Sequence, residues 1–421
     1  MTRPPALGQA PRWRAILITA LSAALVAWLT LVPQPSATPA QRVAFACLLG
    51  CHDQGLRDFL SNILLFIPLG WSLRYWLGPR QTVGLCLLLT ITIEVLQFNV
   101  ITGRDPSLRD ILGNAAGGAI GAWLFAHWRG LLWPDHGRSL RLAGLATGGW
   151  TAVLLLSGAG IRPAPSDRPW YGQWTPLPDD ANRYPGRLLS LDIGGWGALD
   201  GHLAEPVPLR QAIRIGSFLA RARVVSGPAP PQGAPIYVVY DDDDWEEEQL
   251  FVGQDRRALL LHLRNWFEVC ETRGLIVRLP LFPGSSPGDT VTVEAGLREH
   301  NLLLRAVTAT GRAEVRVPQT VGWGWASMLP FSYPVWNEWL LLNPLWLAIL
   351  ILPVGYWFGR ASPWAGVGLT AVALGAGLAL VPLLAGVAPT TRPEWAGALG
   401  GAALSWGAGF LSRRRLPPAE A

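Results

Sequence analysis

Six polar side chains between residues 58 and 114 form three pairs. Asp58 and Asn62 are four residues apart, Glu94 and Gln97 three, and Asp110 and Asn114 four. Spacings of three or four put each pair on one helix face. Carboxylates beside amide oxygens are the ligand type of Mg²⁺ or Ca²⁺. Alternatively, one desolvated acid can act as a general base or proton carrier, with Glu94, Asp110 and Asp58 as the candidates. Arg104 and Arg109 lie just before the third pair and are the natural counter-ions. No Ser–His or Cys–His arrangement accompanies the acids, so nucleophilic catalysis has little support. A purely structural role is a hydrogen-bonded network that fixes helix register, worth about 0.6 kcal/mol per contact in a membrane bundle. Three acids exceed what register requires. The set Asp58, Asn62, Glu94, Gln97, Arg104, Asp110 and Asn114 is therefore a candidate ligand site, with no metal or cofactor assigned.

Each pair sits in an apolar run: DFLSNILLFIPLG, LTITIEVLQF and RDILGNAAGGAIG. Ionisable groups in such runs are costly and usually face a bundle interior. The 421 residues are 50% hydrophobic and only 15% charged, the composition of a membrane protein. The basic residues are all Arg, the net charge is +5, and no basic–aromatic run suits nucleic acid. Apolar runs predict about eight spans. One, at 15–32, is a helix or a signal peptide. Four more lie near 56–76, 82–100, 110–127 and 140–161, and three close the chain, near 334–358, 363–387 and 394–411. Arg residues cluster on one side of this arrangement, which puts both termini in the cytoplasm. All three polar pairs then lie at similar depth towards the external leaflet, capped by the loop holding Arg104, Asp105 and Arg109.

Composition changes after residue 161. Runs such as IYVVY, LIVRLPLF and AEVRVPQTV alternate or cluster like strands between turn signals. They predict an inserted all-β sandwich, of jelly-roll type, on the external side. The expected domains are thus 1–161 (membrane), 162–331 (β) and 332–421 (membrane). The acidic run Asp241–Glu248 reads as a solvated loop or a Ca²⁺ site. Trp170, Trp174 and Trp196 would either stack on sugar or belong to the core or membrane edge. Cys47 and Cys51, beside His52, would pair in an oxidising compartment or simply pack as small apolar residues. Cys86 and Cys270 read as buried.

The ordered set Asp58, Asn62, Phe66, Pro68, Leu69, Gly70, Glu94, Gln97, Gly103, Arg104, Asp110, Asn114, Gly117 and Gly121 resembles the VanZ-like family of bacterial membrane proteins. The resemblance ends near residue 161. It implies a cell-envelope protein, since the family's named member lowers susceptibility to the glycopeptide teicoplanin. The stretch QLFVGQDRRALLLHLRN, with Gln254 and Asp255 in a turn, resembles concanavalin A-like (laminin G-like) sandwiches, which often bind glycans. Partners implied are membrane lipids and a cell-wall glycan or lipid-linked precursor. Two alternatives remain: a membrane enzyme acting on a lipid-linked envelope substrate with a divalent cation, and a membrane-anchored glycan-binding module. Finally, TTRPEWAGALGGAALSWGAG resembles GRDPSLRDILGNAAGGAIGAW, with Glu394 near the place of Asp110, and NPLWLAILILPVG echoes NILLFIPLG. Such internal repeats are common in membrane folds.

Overall fold

The structure is a computed structural model that describes residues 12–32, 55–101, 107–175, 183–194, 196–197, 201–203, 207–231, 233–241, 244–280, 286–328, 334–335 and 341–413. The chain forms two compact units, Met1–Arg138 with Leu411–Ala421, and Ser139–Phe410.

The first unit contains helices α1 (Arg12–Leu31), α2 (Gly55–Leu73), α3 (Pro79–Asn99) and α4 (Leu108–Leu132). α4 lies between α2 and α3, and glycine makes this possible. A Cβ on Gly117 would come within 2.2 Å of the Ile63 carbonyl oxygen, and one on Gly121 within 2.2 Å of that of Ile67. Gly70 of α2 returns the contact, 2.2 Å from the Gly118 oxygen, while Gly118 itself abuts Cys86 of α3. In lipid, where apolar burial drives little helix association, such backbone proximity is a main source of packing energy.

The second unit begins with α5 (His136–Ile161), whose first residues belong to the first unit. The β region follows. Its strands are β1 (Trp170–Trp174), β2 (Arg187–Ile193), β3 (Trp196–Gly197), β4 (Gly201–Leu203), β5 (Ser217–Val225), β6 (Ala234–Asp241), β7 (Asp244–Asp255), β8 (Ala258–Leu263), β9 (Ile276–Leu279), β10 (Thr290–Arg298), β11 (Asn301–Val307), β12 (Arg312–Pro318) and β13 (Pro334–Val335). Helices α6 (Val207–Arg214) and α7 (Trp266–Val269) interrupt them. One sheet runs β13-β9-β8-β7-β6-β1-β4 and the other β12-β11-β10-β5-β2-β3. Pairing is antiparallel except between β13 and β9. Val224, Val293 and Val317 of one sheet share a buried core with Tyr237, Leu261 and Val277 of the other. The expected two-layer β architecture is therefore present. The strand orders, with meanders β6–β9 and β10–β12, do not establish jelly-roll wiring.

Helices α8 (Leu342–Ala361), α9 (Pro363–Gly375), α10 (Val381–Ala385) and α11 (Arg392–Ser412) complete the unit, with a π-helical turn at Ala376–Leu380 joining α9 to α10. The segment after β12 ties sheet to helices. Gln319 donates to the Ile161 oxygen of α5 at 3.1 Å and accepts from Ala388 N at 2.9 Å.

Among the described residues five helical stretches, not eight, are long and apolar enough to cross a membrane: Arg12–Leu31, Pro79–Asn99, His136–Ile161, Leu342–Ala361 and Pro363–Ala385. The three that fall short are α2, α4 and α11. Asp58, Asp110 and Glu394 with their neighbouring Arg residues, together with the packing glycines, dilute the hydropathy of these helices.

Candidate functional site in the first helical unit

The site residues take their places from α4. Ser107 caps this helix, its hydroxyl accepting from Arg109 N at 3.2 Å, and Asp110 falls in the first turn. One turn on, Asn114 is buried against α3, and its Nδ2 donates to Thr90 Oγ1 at 2.8 Å. The Asn114 Oδ1 is buried with no hydrogen-bond partner among the described residues. Glu94 of α3 is also buried and accepts from Ser107 N at 2.9 Å, bridging α3 to the start of α4. On α2, the Asn62 Cβ faces Gly113 of α4.

Two of the expected members behave differently. Gln97 is buried but turns to α1, donating to the Thr30 oxygen at 2.9 Å. Asp58 is half exposed and pairs with its neighbour Arg57, whose Nε donates to Oδ1 at 2.9 Å. Arg57 is itself buried, and its Nη1 has no hydrogen-bond partner among the described residues. Sequence reasoning passed over Arg57 because adjacent helix positions do not share a face. It also passed over Thr90 and Ser107, whose hydroxyls carry no spacing signal. Arg104, Asp105, Cys47, Cys51 and His52 lie outside the described residues. The structure thus gathers Glu94, Asp110, Asn114, Thr90 and Ser107 about the α3–α4 contact, with Asn62 against α4 from the α2 side.

Residues 17–130 match the VanZ/LLP1 family model. The chain carries a VanZ/LLP1 domain. It runs from α1 to the last turns of α4 and contains all three polar pairs. No curated protein and no solved structure matches the chain.

Outside the VanZ/LLP1 domain, α8 and α11 make backbone contacts in the same register as α2 and α4. Gly113 faces the Phe59 oxygen, and Gly397, 284 residues on, faces that of Pro344, 285 residues on. By the same offsets Gly117 and Ile63 become Gly401 and Ala348, and Gly70 and Gly118 become Gly355 and Ala402. This register places Asn343 opposite Asp58, one turn away from the sequence-based pairing with Asn62, and Glu394 opposite Asp110. On these helices Asn62 falls on Leu347 and Asn114 on Ala398, and, since Pro79 and Pro363 open α3 and α9 at the same offset of 284, Thr90 falls on Leu374, Glu94 on Leu378 and Gln97 on Val381, all five of them apolar and buried. The two polar residues that remain are closed on each other, Asn343 Nδ2 donating to Glu394 Oε1 at 2.9 Å. Trp325 Nε1 donates to Asn343 at 2.7 Å, Thr320 donates its hydroxyl to Glu394, and Thr391 N donates to the other carboxylate oxygen at 2.7 Å.

In the β region, the acidic run is neither a solvated loop nor a metal cluster where it is described. Asp241 is fully buried, accepts from the Ser166 hydroxyl and lies near Arg264, which pairs with Glu247. Glu248 and Glu268 flank His262. Burial opposes the charge on His262, but the two carboxylates together hold its pKa up, to about 10. Among the described residues no group of three or more His, Cys, Asp or Glu could hold a metal ion. Trp170 is core, its ring under Arg210, and Trp174 is half-buried. The Trp196 side chain lies outside the described set. Gln254 and Asp255 end β7, and the hairpin turns at Arg256 and Arg257. Cys86 is buried as expected, but Cys270 is exposed, because it follows the short surface helix α7.

Proposed function

We propose that this VanZ-like envelope protein uses the polar centre of its first four helices to recognise a glycan, glycolipid or glycopeptide-type ligand at the outer surface. The consequence would be altered susceptibility to glycopeptide antibiotics. The observation that carries this reading is the pair of matched registers. We read α8–α11 as a degenerate copy of α2–α4. In that copy the helices approach as closely with Leu, Val and Ala at five of the seven compared positions, so packing alone does not demand Asn62, Thr90, Glu94, Gln97 and Asn114. Buried polar groups that the scaffold does not need are retained at a cost, and ligand recognition accounts for them. The buried Asn114 Oδ1 offers an acceptor to a ligand hydroxyl or amide, and the buried Arg57 Nη1 offers a donor.

The test is glycopeptide susceptibility of cells producing the full chain, with Asp58→Asn, Glu94→Gln and Asp110→Asn compared at equal membrane expression. Loss of the effect on neutralising any of these acids is expected. Unchanged susceptibility for all three would remove the site, leaving the helices as an anchor for the β region.

A further inference from the structure

A cavity chemically distinct from the polar centre lies in the second unit, where α5 gives way to the β region. It measures about 750 Å³, in the range of small-ligand sites. Four arginines line it, Arg162, Arg168, Arg214 and Arg264, against two acidic residues, Asp167 and Glu247. The cavity therefore carries an excess of positive charge.

Its walls are fixed before any ligand arrives. Ala164 N donates to the Arg264 oxygen at 3.0 Å and Trp266 N to the Arg162 oxygen at 3.0 Å. Ser166 N donates to Gln249 Oε1 at 2.9 Å, and the Ser166 hydroxyl is held by buried Asp241. Two of the cations are available. Arg162 is exposed, and its side chain has no hydrogen-bond or ion-pair partner among the described residues. Arg214 pairs with Asp167 at 2.7 Å, but both side chains are open to solvent, at 49% and 84%. An exposed pair of this kind is worth little and exchanges readily for a better anion. Guanidinium forks suit phosphate oxygens, which they can engage in bidentate fashion.

The rim decides where the phosphate comes from. Arg162 directly follows Ile161, the last residue of a 26-residue helix apolar enough to cross a membrane. Trp266 and Val269, which also line the cavity, are 49% and 41% exposed. Tryptophan at the end of a span is favoured at the headgroup level, where the Arg guanidinium also meets lipid phosphate oxygens. The geometry points to a site for a lipid phosphomonoester headgroup, held by Arg162 and Arg214 with the start of the acyl region against Trp266 and Val269.

The experiment is calorimetric titration of the purified full chain in detergent with dihexanoyl phosphatidic acid, dihexanoyl phosphatidylcholine and inorganic phosphate. Phosphatidic acid should bind, phosphatidylcholine should not, and inorganic phosphate should bind at least ten-fold more weakly. Arg162→Ala and Arg214→Ala should each weaken phosphatidic acid binding about ten-fold. Both positions are exposed, so unchanged melting temperatures are expected. Trp266→Ala should weaken phosphatidic acid but leave inorganic phosphate unaffected. Absence of phosphatidic acid binding would overturn the proposal, as would binding indifferent to both Arg substitutions. Inorganic phosphate binding as tightly as the lipid, with Trp266→Ala without effect, would overturn the lipid headgroup as occupant.

Discussion

Helices α2 and α4 pack through Gly70, Gly113 and Gly117, and helices α8 and α11 through the corresponding Gly355, Gly397 and Gly401. Around these shared contacts the two regions differ in polarity. The first keeps Thr90, Glu94 and Asn114 in its interior and Asn62 half-buried, whereas the second has Leu374, Leu378, Ala398 and Leu347, all buried. The difference separates what the helices need in order to pack from what is added to them. Backbone approach needs glycine, and the polar side chains are the addition.

The largest expected effect tests the shared part. Gly117→Leu should force α2 and α4 apart, because even a Cβ at that position meets the Ile63 oxygen at 2.2 Å. The expected cost is about 3 kcal/mol, the upper end for overpacking, read as a lower melting temperature in detergent. Gly401→Leu should cost a similar amount, and its tolerance would break the comparison. Next, Glu394→Leu should destabilise by about 2–3 kcal/mol, since it strands the buried donors of Thr320 and Asn343 and removes the acceptor of Thr391 N. Susceptibility per folded molecule should not change, because this closed cluster lies outside the proposed site.

A smaller effect on stability, with a full effect on function, is expected of the double substitution Asn114→Ala with Thr90→Leu. It installs the Ala398 and Leu374 pair of the second region in the first. Removing both partners of a hydrogen bond together can be nearly neutral, so the stability cost should be about 1 kcal/mol or less, read as a small change in melting temperature. The glycopeptide effect should vanish, and retained function would mean that the Asn114–Thr90 pair has no part in recognition.

The mildest prediction separates the sandwich from both helix sets. The pKa of His262, raised to about 10, stabilises the fold fully below its ordinary value of 6.5, and that contribution is lost as pH rises towards 10. The melting temperature should therefore fall between pH 6.5 and 10, and His262→Gln should flatten that decline. A decline that survives the substitution would locate the titrating group elsewhere.

Much of the helical part was legible because spacing is physical. Polar residues three or four apart in apolar runs marked the right helices. The β region was legible from alternation, as in β12, where buried Val315 and Val317 flank exposed Arg316. Three things were not legible. Partners such as Ser107 and Thr90 act through single hydroxyls brought in by tertiary packing. Gln97 was expected in the pocket but faces α1, since a helix presents more than one buried face in a bundle. The acidic run at Asp241–Glu248 reads as solvated because its cations, Arg264 and His262, are supplied by a neighbouring strand and the residues just after it.

The connection at residues 319–320 has a mechanical meaning. β12 ends at Pro318, and the very next side chains grip the end of α5 and the first turn of α11. A domain hung on a flexible stalk can sweep a wide volume and sample ligands at many heights. This one is bolted at its root, so any load on the sheet reaches two helices without slack, and its reach is fixed by the rigid length of the sandwich itself.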